Sequence, residues 1–402
     1  MAIEVKTIMA GTAIIGDTFE VVTKSSKEFK DILNTVETAA RWEKIELAKS
    51  SYLTFGYMPI VGDANFSGEF AVDRFAEGVT KESMADCGDT GDLTGVVGSG
   101  VVVRAGKIYP TSLTAAMNYE ALAGAACPAL HKLATTVRER HVQECAAATA
   151  AATNKELLMK FSAGKLRAIN GGGYKILDQR KLFQTVETAL TDNNPEFVCG
   201  SYGHEQTTAQ WKISGEDIAA ILDAYQDAAI MADRPDRADA EALVEFTTSD
   251  VGNSAATVAA YLKLDNIVIP LGTAMKVLHK GSSSEADFAI CAEKLFAQLK
   301  QGVKAVAELE DVKIEHMANA VLNLASETGI SKRAASAAAQ EQIEFFGESG
   351  TAADVVYCLS GAIATMRSEK ASAKQITTLQ ENVARLLVRC DWAEYDTIVV
   401  TK

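Results

Sequence analysis

Between Lys165 and Phe183 the chain reads KLRAINGGGYKILDQRKLF, with Gly171, Gly172 and Gly173 in a row among Lys165, Arg167, Lys175, Arg180 and Lys181. Glycine lets a backbone approach an oxyanion closely, and lysine and arginine neutralise it, so the stretch has the ingredients of a phosphate site. A nucleotide loop, however, needs its glycines after a strand and at the mouth of a helix, closed by G-x-x-x-x-G-K-[ST]. That motif is absent. The glycines are expected instead to turn the chain into a strand at 174–177, and the next helix starts behind Asp178, an acid that repels phosphate. A longer polyanion, followed by separate side chains, fits this stretch better.

Other chemistry finds little support. The five histidines, His131, His141, His204, His279 and His316, form no HxxxH or HExxH pair. VGSGV at 97–101 lacks the spacing of a nucleophile elbow. Asp233, Asp236 and Asp239 alternate through a loop without the glutamate that closes a calcium loop. The seven cysteines contain no CxxC pair and are odd in number, which argues against a disulfide framework or a zinc ribbon and for free thiols in a reducing cytoplasm. No catalytic constellation, metal site or cofactor is expected.

The chain has 402 residues, 48% of them apolar, and a net charge of -14. Residues 131–181 hold ten Lys/Arg against four acids, leaving about -20 for the remainder. A basic segment in an acidic chain can still bind a polyanion, because affinity comes from the phosphates neutralised locally. No run of 18 apolar residues occurs, and the start MAIEVKTIMAGTAIIGDTFEVV lacks the basic region of a signal peptide, so no membrane partner is expected.

The elements that must position these residues follow from local signals. Residues 1–23 read as short strands. Ser25 and Glu28 then form a capping box for an amphipathic helix carrying Phe29, Ile32, Leu33, Val36 and Ala40. The glycine-rich stretch 88–108 suggests hairpins or an extended arm. Pro128 suits the first turn of a helix that the alanines of 146–153 would prolong to about Met159, bearing Arg138, Arg140, Lys155 and Lys160. YKIL, QRKLFQTVETAL, EFVCGSYG and TTAQWKI make a mixed β-α-β-β unit. A helix is expected from Ser214 to Met231, and from Ser284 the chain is helical, with Gly329 as a C-cap, until a closing strand TIVV. The fold class is α+β: an N-terminal β-rich region with a glycine-rich arm (1–125), a central α+β domain with the basic segment 131–181 (126–310), and a helical C-terminal region (311–402).

The order of these segments resembles the DUF932 family of phage- and plasmid-encoded proteins over about residues 165–396. GGGYKILDQRKLFQTVETAL is similar to its opening, VEFTTSDVGNSAATVAAYLKL to its "NSd-G-x-s" segment, and VLHKGSSS to its "H-x-G". The stretch around GESGTAADVVYCLSGAI resembles its "T-a-x-D" signature, and ENVARLLVRCDWAEYD its closing segment. Thr248 stands where the family commonly has Asn. The resemblance implies a setting in mobile elements. By analogy of element order it implies a likeness to phage strand-annealing proteins, which form rings or filaments and hold single strands in a basic groove.

Residues and resemblance together lead to the expectation of an oligomeric, cytoplasmic single-stranded DNA-binding or annealing protein. Arg138, Arg140, Lys155, Lys160, Lys165, Arg167, Lys175, Arg180 and Lys181 would contact phosphate, with Tyr174 and Trp211 stacking on bases. The alternative is a self-assembling structural protein of a virion or another assembly, in which the glycine-rich arm and the alanine-rich helix pack subunits.

Overall fold

The structure, a computed structural model, describes residues 20–55, 58–62, 100–104, 107–133, 135–162, 165–231, 234, 239–369 and 371–397. It is α+β, with two separate seven-stranded sheets and a helical C-terminal third. The first sheet runs β1 (Glu20–Thr23), β9 (Pro195–Gly203), β10 (Thr207–Ile213), β11 (Ala240–Thr248), β12 (Ala256–Leu264) and β13 (Ile267–Pro270), with β14 (Met275–Val277) also on β12. All its pairs are antiparallel. The second runs β2 (Ala40–Glu46), β7 (Glu156–Ser162), β8 (Lys165–Gly171), β6 (Lys107–Thr111), β5 (Gly100–Arg104), β4 (Met58–Gly62) and β3 (Ser51–Phe55).

From Glu20 the described chain lies in one unit, leaves it after α1 and returns. The helix α1 (Ser26–Ala39) buries Phe29, Ile32, Leu33 and Val36 in the large core of the first sheet. Its C-cap, Ala40, is already the first residue of β2, in the other sheet. The described residues of 40–171 then build the smaller core, where α2 (Leu113–Leu122) and α3 (Thr135–Ala152) cover Leu157, Met159, Phe161 and Ile169. From Leu177 onward most of the buried apolar residues belong to the large core again. The large cluster thus has members on both sides of the expected boundaries at 125 and 310, and the smaller one on both sides of 125.

The large core is covered by α4 (Gln179–Leu190), α5 (Glu216–Met231) and α6 (Glu285–Leu309). Alternation assigns the faces of the sheet. Ala242, Val244 and Phe246 join Phe288 in the main core, while Leu243, Ala259 and Tyr261 form a small cluster on the opposite face. The C-terminal helices α7 (Met317–Thr328), α8 (Lys332–Phe346), α9 (Ala352–Ser368) and α10 (Ala373–Arg389) complete the large core, followed by α11 (Trp392–Tyr395).

Several expectations are met by these elements and others are corrected. Ser25 caps α1 by accepting from the Glu28 N–H, but the Glu28 carboxylate accepts from Thr23 Oγ1 at 2.6 Å instead of closing the box. Gly329 ends α7 at φ 80°, as the C-cap signal requires. The helix over the alanines ends at Ala152, not near Met159. Residues 156–162 form β7, whose residues 157–161 are all buried, so tertiary burial overrides the helix propensity of this run. Pro128 precedes the helix rather than sitting in its first turn, since α3 starts at Thr135. The glycines end β8 rather than lead into a strand. Residues 174–177 carry only an isolated bridge, Tyr174 to Lys280. The order β8, α4, β9, β10 is β-α-β-β, but β8 lies in one sheet and β9 and β10 in the other. Of the glycine-rich arm, 100–104 and 107–111 pair as β5 and β6, while 88–99 lie outside the described residues. So do residues 1–19 of the expected N-terminal strands, Asp233 and Asp236 of the acidic loop, and 398–400 of the closing strand.

Candidate functional site

Most of the expected binding residues gather in two places, one internal and one at the surface. The internal place is the seam between the two units. Lys160 on β7 is fully buried, and its Nζ lies 2.8 Å from Asp250 Oδ2 and 3.2 Å from Glu37 Oε1. Arg167 on β8, 6% exposed, donates from Nε to both Asp250 oxygens at 3.0 and 3.2 Å. Its Nη2 donates to the Gly203 and His204 carbonyls. Both cations come from the second sheet, whereas Glu37 on α1 and Asp250 after β11 come from the first unit. Two cations thus meet two acids across the seam. Their exclusion from solvent makes the loss of any one partner costly.

Burial alone would raise the Asp250 carboxyl, but Arg167 and Lys160 beside it hold it well below the usual carboxylate range. Glu37 moves the other way: burial outweighs Lys160 and raises it.

A layer of rings lies beside the charges. Tyr174 stacks on His279, with centroids 4.9 Å apart and planes 4° apart, and on Trp42 at 5.9 Å. Its hydroxyl donates to the Ser249 carbonyl at 3.1 Å. The 249–253 turn is held from the second unit as well, by Asn118 Nδ2 donating to the Val251 carbonyl. Gly252 has φ +82°, and a Cβ there would come within 2.6 Å of Asn170 Oδ1, so both conformation and space call for glycine. Gly172 has a different reason: a Cβ would sit 2.6 Å from that of Glu156, whose carbonyl accepts from the Gly172 N–H. The segments of Tyr174, Asp250 and His279 therefore meet at one seam. Thr351 and Asp354 form a complete capping box on α9, and Asp354 receives a paired contact from Arg234.

These contacts engage four of the expected binding residues within the protein itself. Lys160 and Arg167 do not face solvent, because their charges are consumed by Glu37 and Asp250. Tyr174 is already stacked on two rings of the protein. Trp211 is 2% exposed, packed against Phe183 at 5.3 Å and Phe197 at 5.8 Å, so its faces are core contacts and not a platform for bases. Lys155 is half-buried and donates to the Leu122 carbonyl. Lys165 opens β8, paired through its backbone with Ser162. Arg138 is half-buried and Arg140 exposed on α3.

The surface place lies around α1 and α4. Arg180 grips Asp178 through Nε and Nη2 at 3.0 and 2.6 Å. Burial alone would raise the Asp178 carboxyl, but these bonds hold it low. Lys175 and Lys181 are exposed, and Lys181 Nζ reaches no nearer than 4.0 Å to Glu285. Exposed Lys280 adjoins Lys175, since Tyr174 bridges to Lys280 and the Lys175 N–H donates to the His279 carbonyl. Lys30 on α1 meets Glu187 on α4 at 2.7 Å, and the two helices border an open groove of about 670 Å³ that is lined by Lys30, Arg180 and, in its depth, Trp211.

Sequence reasoning missed Glu37 and Asp250 as partners, and missed Lys30 and Lys280. Only the resemblance pointed to the Asp250 and His279 segments. Among the described residues no group of three or more His, Cys, Asp or Glu is placed to hold a metal ion, and no helix is long and apolar enough to cross a membrane. Compared with known proteins, the chain matches no family model, no curated sequence and no solved structure.

Proposed function

We propose that the chain is an oligomeric single-stranded DNA-binding protein of the annealing type, acting in recombination or replication. One observation carries the reading: Lys30, Lys175, Arg180, Lys181 and Lys280 are gathered on neighbouring segments at the surface of a chain whose net charge is -14. A local group of cations in an acidic molecule attracts a polyanion there and discourages it elsewhere. Such a protein needs no cofactor, because annealing is base pairing between strands that it presents side by side. The cytoplasm of a host cell is the setting proposed, and the six described cysteines, all free thiols, suit it.

The test is binding of a fluorescent single-stranded oligonucleotide across a salt series, with particle size measured with and without it. Steep salt dependence and DNA-dependent assembly support the reading. No binding at low salt removes it.

A second reading, a self-assembling structural protein without nucleic acid, is favoured by exposed large apolar side chains. Met231 is 89% exposed and Phe345 75%. Phe345 adjoins the half-buried ring of Phe346, with centroids 6.4 Å apart, and contiguous exposed apolar surface marks protein contacts. Ordered assemblies that form without an oligonucleotide would favour this reading.

A further inference from the structure

The groove between α1 and α4 has a composition of its own. Its walls carry amides and hydroxyls, Asn34 from α1 and Gln184 and Thr188 from α4, and its floor includes the half-buried ring of Phe197 on β9. Three other rings hold Phe197: Phe29 at 6.0 Å, Phe183 at 6.2 Å and Trp211 at 5.8 Å, the last two edge to face. Arg180 stands at the rim, and Lys30 spans the groove to Glu187, which also accepts from Ser26 Oγ. An apolar peptide would leave the amide walls unpaired. A phosphate seated deep inside would face Glu187. A flat ring with polar edges meets neither objection.

We propose that this groove is a nucleotide subsite for single-stranded DNA, and the inference rests on the DNA-binding reading above. The base stacks on Phe197 and its edge bonds to Asn34 and Gln184. The sugar and phosphate stay at the mouth, near Arg180 and Lys181. Aromatic stacking tolerates every base, so the subsite adds affinity without sequence preference.

The test uses the full chain and an oligonucleotide carrying 5-iodouracil, photocross-linked and mapped by mass spectrometry, together with Phe197→Leu and Gln184→Ala. Adducts within 26–34, 180–191 or at Phe197 are expected. Phe197→Leu should lose roughly tenfold in affinity, with an unchanged salt slope because the same phosphates stay neutralised. Gln184 is exposed, so Gln184→Ala reports on the groove even if the Phe197 variant folds poorly. Binding with adducts confined to the Lys175 and Lys280 segments, and both variants binding like the parent, would overturn the subsite and leave the DNA reading standing. Absence of binding at low salt would remove both.

Discussion

Lys160 Nζ lies 2.8 Å from Asp250 Oδ2, the two residues 0% and 7% exposed, and they join two hydrophobic cores that share no cluster of buried residues. Removing either leaves a buried charge with fewer partners, at a cost of about 3–5 kcal/mol. Asp250→Asn is expected to destabilise more than Lys160→Met, because it takes the shared acid from both cations, whereas Lys160→Met leaves Asp250 with Arg167 and leaves Glu37, already raised by burial, free to take up a proton. Chemical denaturation of the two variants measures the order, and equal or small losses would show that the pair does not fasten the seam.

Arg167→Glu should unfold or expel the seam, since the new acid faces Asp250 and the Gly203 and His204 carbonyls. Lys175→Glu with Lys181→Glu should leave the melting temperature nearly unchanged and weaken oligonucleotide binding. The slope of log K against log salt should fall by about 0.7 for each phosphate that is no longer neutralised. If Arg167→Glu instead stays folded and selectively loses DNA, the internal assignment of Arg167 is wrong.

The pH response of the seam has a definite sign. Glu37 has a folded pKa above its unfolded value, so its ionised form costs stability at neutral pH, and that cost is relieved as pH falls through the folded value. Asp250 has a depressed folded pKa. Its contribution is therefore complete above the unfolded value and is lost only as pH falls below that value toward the folded one. From pH 7 to 5 the parent should gain stability relative to Glu37→Gln, as measured by urea denaturation at both pH values. A parent that loses ground to the variant over this range would contradict the burial of Glu37.

Tyr174→Phe removes one hydrogen bond, to the Ser249 carbonyl, and keeps the stack on Trp42 and His279. A drop of about 1 kcal/mol in stability is expected, with oligonucleotide binding unaltered. Tyr174→Ala should cost more stability because the stack goes as well. A Tyr174→Ala protein that is fully stable yet unable to bind DNA would return this ring to the role of a base platform.

Local signals made the helices legible. Ser25 and Asp178 cap their helices with side-chain bonds to residues two or three positions on, and Gly329 closes another, so neighbouring residues carry all the information needed. The misreadings share one cause. Whether 156–162 is helix or strand depends on burial against distant residues, and after the alanines only Thr153 and Asn154 weigh locally against helix before Glu-Leu-Leu-Met-Lys. The fate of the cations was equally hidden. Glu37 and Asp250 stand 123 and 90 residues from Lys160, so a buried ion pair and a solvated lysine look alike in sequence. The basic segment 131–181 is continuous along the chain but not in space.

The early departure of the chain from its first unit has a consequence for synthesis on the ribosome. The strand β1 has its partner in β9, where Glu20 pairs with Gly203, so the N-terminal strand and α1 emerge long before the surface that receives them. The smaller core, complete by Ile169, has all its residues available earlier. Nascent chains arrested once 171 has left the exit tunnel should already protect 156–171 from proteolysis while α1 remains cleavable, and α1 should become resistant only after β10 has emerged. That result would make the order of assembly inside out: the inserted unit forms first, and α1 and the segments after Leu177 then pack together around its two junctions.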